Sequence, residues 1–149
     1  MEINSQNKLF FHGVKIINVN FNSIAAISKE KPEIDIKIEP RVFIPKDNET
    51  DFHILMNVKV QADEYFELNL VAVGSFSVSG EFVNTEIRKN FINANAPAIM
   101  FPYVRAFVST FTSNLGDVTG RILIPTQFFK GELNQLEDSL SMNSLIDGQ

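Results

Sequence analysis

A strict alternation of apolar and polar residues fills the first half of this chain and then stops, and that switch limits its fold more than anything else in the sequence. Glu33-Ile34-Asp35-Ile36-Lys37-Ile38-Glu39 sets three isoleucines on one side of an extended strand and only charges on the other. The same period of two runs through Phe52, Ile54, Met56, Val58, Val60 and Ala62, opposed mostly by polar residues such as Asp51, His53, Asn57, Lys59 and Gln61. It continues in Phe66, Leu68, Leu70, Ala72, Phe76 and Val78, and a shorter version places Ile17, Val19 and Phe21 between asparagines. These are four predicted strands. Pro40 and the polar 45–51 stretch close the second. Asp63-Glu64 is short enough for a hairpin turn, and Gly74 marks a bulge or a close approach by another segment.

After Asn93 the period lengthens. Asn95 is the predicted N-cap, with Pro97 near the first helical position. Ile99, Tyr103, Phe107, Phe111 and Leu115 then recur every four residues with Val104 and Val108 beside them. This predicts one apolar stripe on a helix from Ala98 to Leu115. Pro102 should offset its first turn, and Gly116 should stop it. Arg121 to Phe129 reads as an extended apolar connection, and Leu133, Leu136 and Leu140 as a short amphipathic helix. Strands that precede helices favour an α+β fold, here a four-stranded antiparallel sheet with a long helix and a shorter C-terminal helix packed on one face. Nothing divides the 149 residues, which read as a single domain with the last helix and tail in 131–149.

Composition then narrows the function. The chain holds 14 Phe but no Trp and only 2 Tyr, so either the core is rich in phenylalanine or apolar surface is buried by partners. A net charge of -5, with 13 basic residues scattered singly, argues against nucleic acid, which demands clustered Lys and Arg. The absence of cysteine excludes disulfides, thiolate metal sites and Cys nucleophiles, and suits a reducing compartment. Met1 to Lys8 lacks the order of a signal peptide, and no run approaches the ~18 apolar residues of a membrane span. A cytoplasmic protein without membrane insertion is expected.

The residues offer no catalytic constellation: no Gly-rich phosphate loop, no HExxH, no serine elbow. His12 and His53 fall on different predicted strands. Asp47-Asn48-Glu49-Thr50-Asp51 opens like a calcium loop but has Phe52 where glycine is required. No enzyme activity, cofactor or metal is therefore expected. Two features speak for binding instead. The Ile34, Ile36, Ile38 row either packs on the core or receives a partner. The predicted long helix carries no charge except Arg105, whereas a monomer's surface helix normally shows several Lys and Glu. A helix so short of charge is expected to be covered on both sides, by its own sheet and by another subunit through Tyr103, Phe107 and Phe111.

At this helix a resemblance emerges. Asn95-Ala96-Pro97-Ala98-Ile99-Met100-Phe101-Pro102-Tyr103-Val104-Arg105 is similar to the signature of the SecB chaperone family, in which Phe-Pro-Tyr opens the long helix. Pro32-Glu33-Ile34, Phe76-Ser77-Val78-Ser79-Gly80 and Ile122-Leu123-Ile124-Pro125 with Phe128 resemble family segments in the same order, over roughly 11–129. The resemblance implies a homotetramer, a dimer of dimers with the long helices at its centre, that holds non-native polypeptides in apolar grooves without ATP. Carried onto this chain, the client-binding residues are Ile34, Ile36, Ile38 and Phe128. In export chaperones, acidic side chains on the outer sheet face engage the motor ATPase SecA; the matching positions here are Asn18, Asn22 and Asn69, which counts against SecA contact. Glu30 stands where the family often has an aromatic residue. The same fold also serves toxin–antitoxin systems, so an antitoxin is the alternative client. A non-chaperone oligomeric interaction module is a third reading, and a small-molecule binder finds no convergent polar cluster to support it.

Overall fold

A computed structural model of the chain describes residues 8–25, 32–46, 50–79, 85–126, 129 and 131–136. Four long strands, β1 (Lys8–Ser23), β2 (Ile34–Phe43), β3 (Asp51–Ala62) and β4 (Phe66–Ser79), precede the helices, as the alternating pattern requires. A helical run follows, made of α1 (Thr85–Asn90), a π-helical turn (Phe91–Asn95) and α2 (Ala96–Ser113). The sheet order is β1-β4-β3-β2-β5, where β5 is the two-residue strand Asn134–Gln135. All neighbours are antiparallel except β2 and β5, so the sheet has five strands and is mixed, not the four antiparallel strands expected, because 134–135 pairs with the β2 edge.

The β3–β4 hairpin shows how period two becomes a core. Its ladder runs from Asp51 opposite Ser77 to Ala62 opposite Phe66, and the Tyr65 amide donates to the Ala62 carbonyl at 2.9 Å to close the turn. Glu64 takes φ +71 there. Because paired residues share a face, Phe52, Ile54, Met56, Val58, Val60 and Ala62 join Phe66, Leu68, Leu70, Ala72 and Phe76 on one side, all essentially inaccessible. The Phe52 and Phe76 rings stack with centroids 5.4 Å apart. Met100, Phe101, Val104, Val108, Ile122 and Ile124 cover this inner side. Gly74 is a close approach and not a bulge: a Cβ there would stand 3.0 Å from Met100 Sδ and from the Phe76 ring.

Three expectations need correction. First, β1 begins at Lys8, well before Ile17, and it contains bulges around His12 and Ile17. Each inserts one residue and shifts the parity of facing. Ile17 consequently packs against Phe43, Leu55 and Val73 on the outer side of the sheet, while Val19 and Phe21 face inward. Second, Asn95 is no N-cap. The helical backbone already runs from Thr85, and the Asn95 side chain accepts a hydrogen bond from Asn90 Nδ2 at 3.1 Å. Proline at 97 can neither donate to the carbonyl four residues back nor clear it sterically. The wider turn, in which the Ala96 amide reaches Phe91 O, ends just before that proline.

Third, Leu133 and Leu136 do not lie on a C-terminal helix, and Leu140 falls outside the described residues. Spaced three apart, two leucines share a helical face, but in a strand they point to opposite sides. Leu133 packs against the inner core and Leu136 against the outer Phe43–Leu55–Val73 cluster. The unpaired backbone of the β2 edge supplies the reason. Leu136 N–H donates to Val42 O at 2.7 Å, and Leu133 N–H donates to Asn93 Oδ1 at 3.0 Å. α2 ends at Ser113 with Asn114 as its C-cap, two residues short of the expected Leu115, and Gly116, at φ +69, lies in the turn that follows.

Candidate functional site

The isoleucine row lies at one margin of the inner face. Ile34, Ile36 and Ile38 stand opposite Ala62, Val60 and Val58, whose buried side chains assign the row to the core side. The core does not cover it. Ile34 is 38% exposed, while Ile36 and Ile38 are half-buried against the rim of the main cluster. Asp35, Lys37 and Glu39 alternate with them on the outer side and are exposed. The structure thus brings three of the four expected residues into one continuous strip. Phe128, the fourth, lies outside the described residues, as do Glu30 and the Asp47–Glu49 part of the calcium-like run.

The extended segment that follows α2 is held by that helix. Thr112 is fully buried on the inner side of that helix; its Oγ1 donates to Val108 O at 2.7 Å and accepts from Ile122 N–H at 2.9 Å. Arg105 Nε donates to Ile124 O, and Arg121 Nε donates to Ser109 Oγ at 2.9 Å. These bonds pin the extended segment after α2 with Ile122 and Ile124 in the core and Leu123, 56% exposed, outward. At the other end of β2, a cleft of about 290 Å³ opens between Val42, Ile44, Arg88, Ile92 and Leu133. Its walls come from strand, helix and C-terminal segment, so no local pattern in the sequence signals it. The role of Thr112 is hidden for the same reason: its partner at Ile122 is ten residues away, beyond a turn.

The stripe of α2 divides in two. The buried residues are Ala96, Pro97, Met100, Phe101, Val104, Val108 and Thr112, of which Val104 and Val108 belong to the stripe read from the sequence; Phe107 and Phe111 pack against the margin of the same cluster. Tyr103 is 55% exposed and Ile99 is exposed too, while Phe107 and Phe111 are half-buried and stack on each other at 5.8 Å. Tyr103 leans on Phe11 of β1 at 5.2 Å, and Phe111 meets Phe21 edge-on at 6.1 Å. The exposed positions of α2 are Ala98, Ile99, Pro102, Tyr103, Ala106, Thr110 and Ser113, none of them charged. Arg105, the sole charge of the helix, is committed to the Ile124 carbonyl.

The outer face is different chemistry. Asn18 and Asn22 are exposed on β1, and Asn69 on β4 donates to Glu67 Oε1 at 3.1 Å. Cross-strand pairing sets Asn20 opposite Asn69 and Asn22 opposite Glu67, which gathers the three asparagines into one amide-rich patch beside Lys59. Lys59 lies 3.5 Å from Glu67. Farther along the same face, His12 Nε2 is 2.7 Å from Ser77 Oγ and His53 Nδ1 is 3.1 Å from Ser75 Oγ. Burial holds the His53 imidazole below its ordinary pKa, Asp51 opposing and Lys15 reinforcing that shift. Among the described residues, no three His, Asp or Glu side chains gather as metal ligands, and no helix is long and apolar enough to cross a membrane.

Comparison with known proteins agrees with this arrangement. The family profile described as "Preprotein translocase subunit SecB" matches residues 5–123. The protein-export proteins SecB of Orientia tsutsugamushi, strains Boryong and Ikeda, are each 30% identical over 98 residues. That match takes in 64% of this chain and 59% and 58% of those proteins, less than two thirds of their own length. In three dimensions the chain is similar to the Mycobacterium tuberculosis SecB-like chaperone solved with a ChAD peptide from the HigA1 antitoxin. The TM-score is 0.67 at 11% identity, covering 80% of this chain and 90% of that one. At such low identity the likeness speaks for the α+β fold alone. The profile match over most of the chain is the decisive finding: this protein belongs to the SecB family.

Proposed function

We propose that this protein is an ATP-independent holdase that captures extended, non-native polypeptide along the Ile34–Ile38 strip and keeps it from aggregating. The observation that carries this reading is an aliphatic row left partly uncovered at the margin of the core, with Ile34 exposed and Ile36 and Ile38 half-buried. Apolar contact is non-directional and worth about 25 cal/mol per Å², so such a strip accepts many sequences. Several weak contacts along one client add through effective concentration. The working form is a homotetramer, a dimer of dimers, assembled through the uncharged side of α2 with Tyr103, Phe107 and Phe111. The protein catalyses nothing and uses no cofactor or metal.

Within the same class, a dedicated chaperone of a toxin–antitoxin system is the second reading. It is favoured by the neutral Asn18, Asn22 and Asn69 where export chaperones carry acidic SecA contacts, and it predicts tight binding to one short antitoxin tail. The test of the main reading is a light-scattering assay with a chemically denatured model substrate. The wild-type protein should delay aggregation, and Ile36→Asp should lose roughly tenfold or more in client affinity, the worth of a buried isoleucine side chain, with its assembly intact. If Ile36→Asp instead breaks the assembly, the strip is a subunit interface and the protein is an interaction module.

A further inference from the structure

The cleft at the C-terminal end of β2 lies apart from the isoleucine strip and takes no part in the client capture proposed above. We propose that it binds a small monoanion, a single carboxylate on an unbranched aliphatic stem, in the class of a medium-chain fatty acid. Its floor is apolar: Val42 is 3% exposed and Ile92 7%, with Ile44 and Leu133 half-buried beside them. Its mouth carries charge, from Arg88 and Lys89 on the helical side and from Glu132 on the C-terminal segment.

Two hydrogen bonds brace the walls. Leu136 N–H donates to Val42 O at 2.7 Å and fixes the C-terminal segment to β2. Leu133 N–H donates to Asn93 Oδ1 at 3.0 Å and fixes the same segment to the π-helical turn. The cleft is therefore formed before any ligand arrives, the usual state of small-molecule sites. Single turns of π-helix recur at functional sites, and this one supplies Ile92 to the floor and Asn93 to the brace.

Arg88 is the residue that points to an anion. It stands four positions before Ile92 on one continuous helical run, so cation and apolar floor share a side. Basic residues at a helix C-terminus commonly serve its last carbonyls. Here the helical backbone goes on through the π-helical turn into α2, and Arg88 has no helix end to serve. Among the described residues Arg88, Lys89 and Glu132 form no ion pair. A half-buried guanidinium beside an apolar cleft, with no carboxylate of its own, is built to take one from outside.

The charge count selects the head. Two cations and one carboxylate leave a single positive charge at the mouth, which one carboxylate neutralises, while Glu132 repels a doubly charged phosphate monoester. The volume selects the stem. At about 30 Å³ per packed atom, the share of a water in the liquid, about 290 Å³ holds roughly ten non-hydrogen atoms, the size of octanoate. A plain methylene stem matches the four aliphatic side chains of the floor, where a polar atom would lose its water and gain no partner.

The experiment titrates octanoate, kept well below micelle-forming concentration, into the full-length protein by calorimetry, with 1-octanol and octylammonium as stems bearing a neutral and a cationic head. Octanoate should bind with a negative heat-capacity change and about tenfold more tightly than octanol, and octylammonium should not bind. Arg88→Gln should weaken octanoate about tenfold and leave octanol unchanged, with Arg88→Lys between the two. Amide exchange should slow at Leu133 and Leu136 and stay unchanged at Ile34, Ile36 and Ile38. Equal affinity for octanoate and octanol, or an Arg88→Gln variant that keeps the difference, overturns the proposal. Protection at the isoleucine row in place of the cleft also overturns it. If a peptide with a free C-terminal carboxylate binds more tightly than octanoate and its amidated form does not, the cleft reads chain ends and the fatty-acid assignment falls. Saturating octanoate should leave the delay of client aggregation unchanged, so failure at the cleft and failure of the holdase reading are scored separately.

Discussion

The outward side of α2 and the isoleucine row of β2 expose similar apolar side chains in opposite settings. Around Ile99 and Tyr103 every exposed neighbour on the helix is uncharged, and the single Arg105 is turned to a carbonyl. The α2 surface can be sealed dry by a partner without desolvating a charge, which suits permanent contact. On β2 the isoleucines alternate with Asp35, Lys37 and Glu39, which stay in water on the other face of a sheet margin. A strand placed there buries one face only and can leave again. The same kind of apolar surface is thus read as assembly in one place and as reversible capture in the other, and the flanking charge decides which.

The largest effect should come from charging the helix. Replacing both Tyr103 and Phe107 with aspartate places two carboxylates where a dry contact is proposed. It should weaken assembly by on the order of a thousandfold, read as a drop in sedimenting mass. Client peptides should still bind the smaller species. Unchanged mass would break the distinction between the two stripes.

How far this distinction was legible depends on the range of the interactions involved. The alternation in 33–39, 52–62 and 66–78 is a local property of each strand, so strand identity, the facing of the isoleucine row and the hairpin at Asp63-Glu64 follow from it directly. The facing of Ile17 does not, because the bulges in β1 arise from its pairing with β4 and only then shift the parity. The sequence makes the four-residue series with Val104 and Val108 one stripe; the structure buries Val104 and Val108 and leaves Ile99 and Tyr103 exposed because β1 and β4 choose which part is covered. Leu133 and Leu136 fit a helix as well as a strand until the β2 edge supplies the hydrogen bonds. These misses depend on partners distant in sequence, whereas Asn95 fails as an N-cap for a local reason, the helical backbone that already runs from Thr85.

A smaller effect separates the two stripes from within. Thr112→Val keeps the shape of the side chain but leaves the buried Ile122 N–H without its acceptor, which costs about 1–3 kcal/mol. A melting temperature lower by several degrees is expected. The loosened segment 121–124 is bonded to Arg105, Ser109 and Thr112 and not to the outward Tyr103 side of α2, so sedimenting mass should stay unchanged while the melting temperature falls. A drop in sedimenting mass would place the extended segment in the assembly contact.

The smallest effect should come from acid, acting on the face that carries neither stripe. His53 stacks on Phe43 with ring centroids 6.2 Å apart on the outer side, and burial, more than the nearby Lys15, lowers its folded pKa below 6.5. The unfolded chain therefore takes up the proton first as pH falls. The contribution of neutral His53 is complete well above pH 6.5 and is lost as pH drops through that value and on through the folded pKa, with Asp51 blunting the loss. Melting temperature should fall between pH 7.5 and 5.5 more steeply in wild type than in His53→Gln. Because the protonating ring lies across the sheet from Ile34–Ile38 and from α2, peptide affinity and assembly should hold over the same range wherever the fold persists. Loss of client binding at pH 6, at a temperature where the wild-type protein is still folded, would mean that the outer face takes part in capture and that the separation of the two stripes is incomplete.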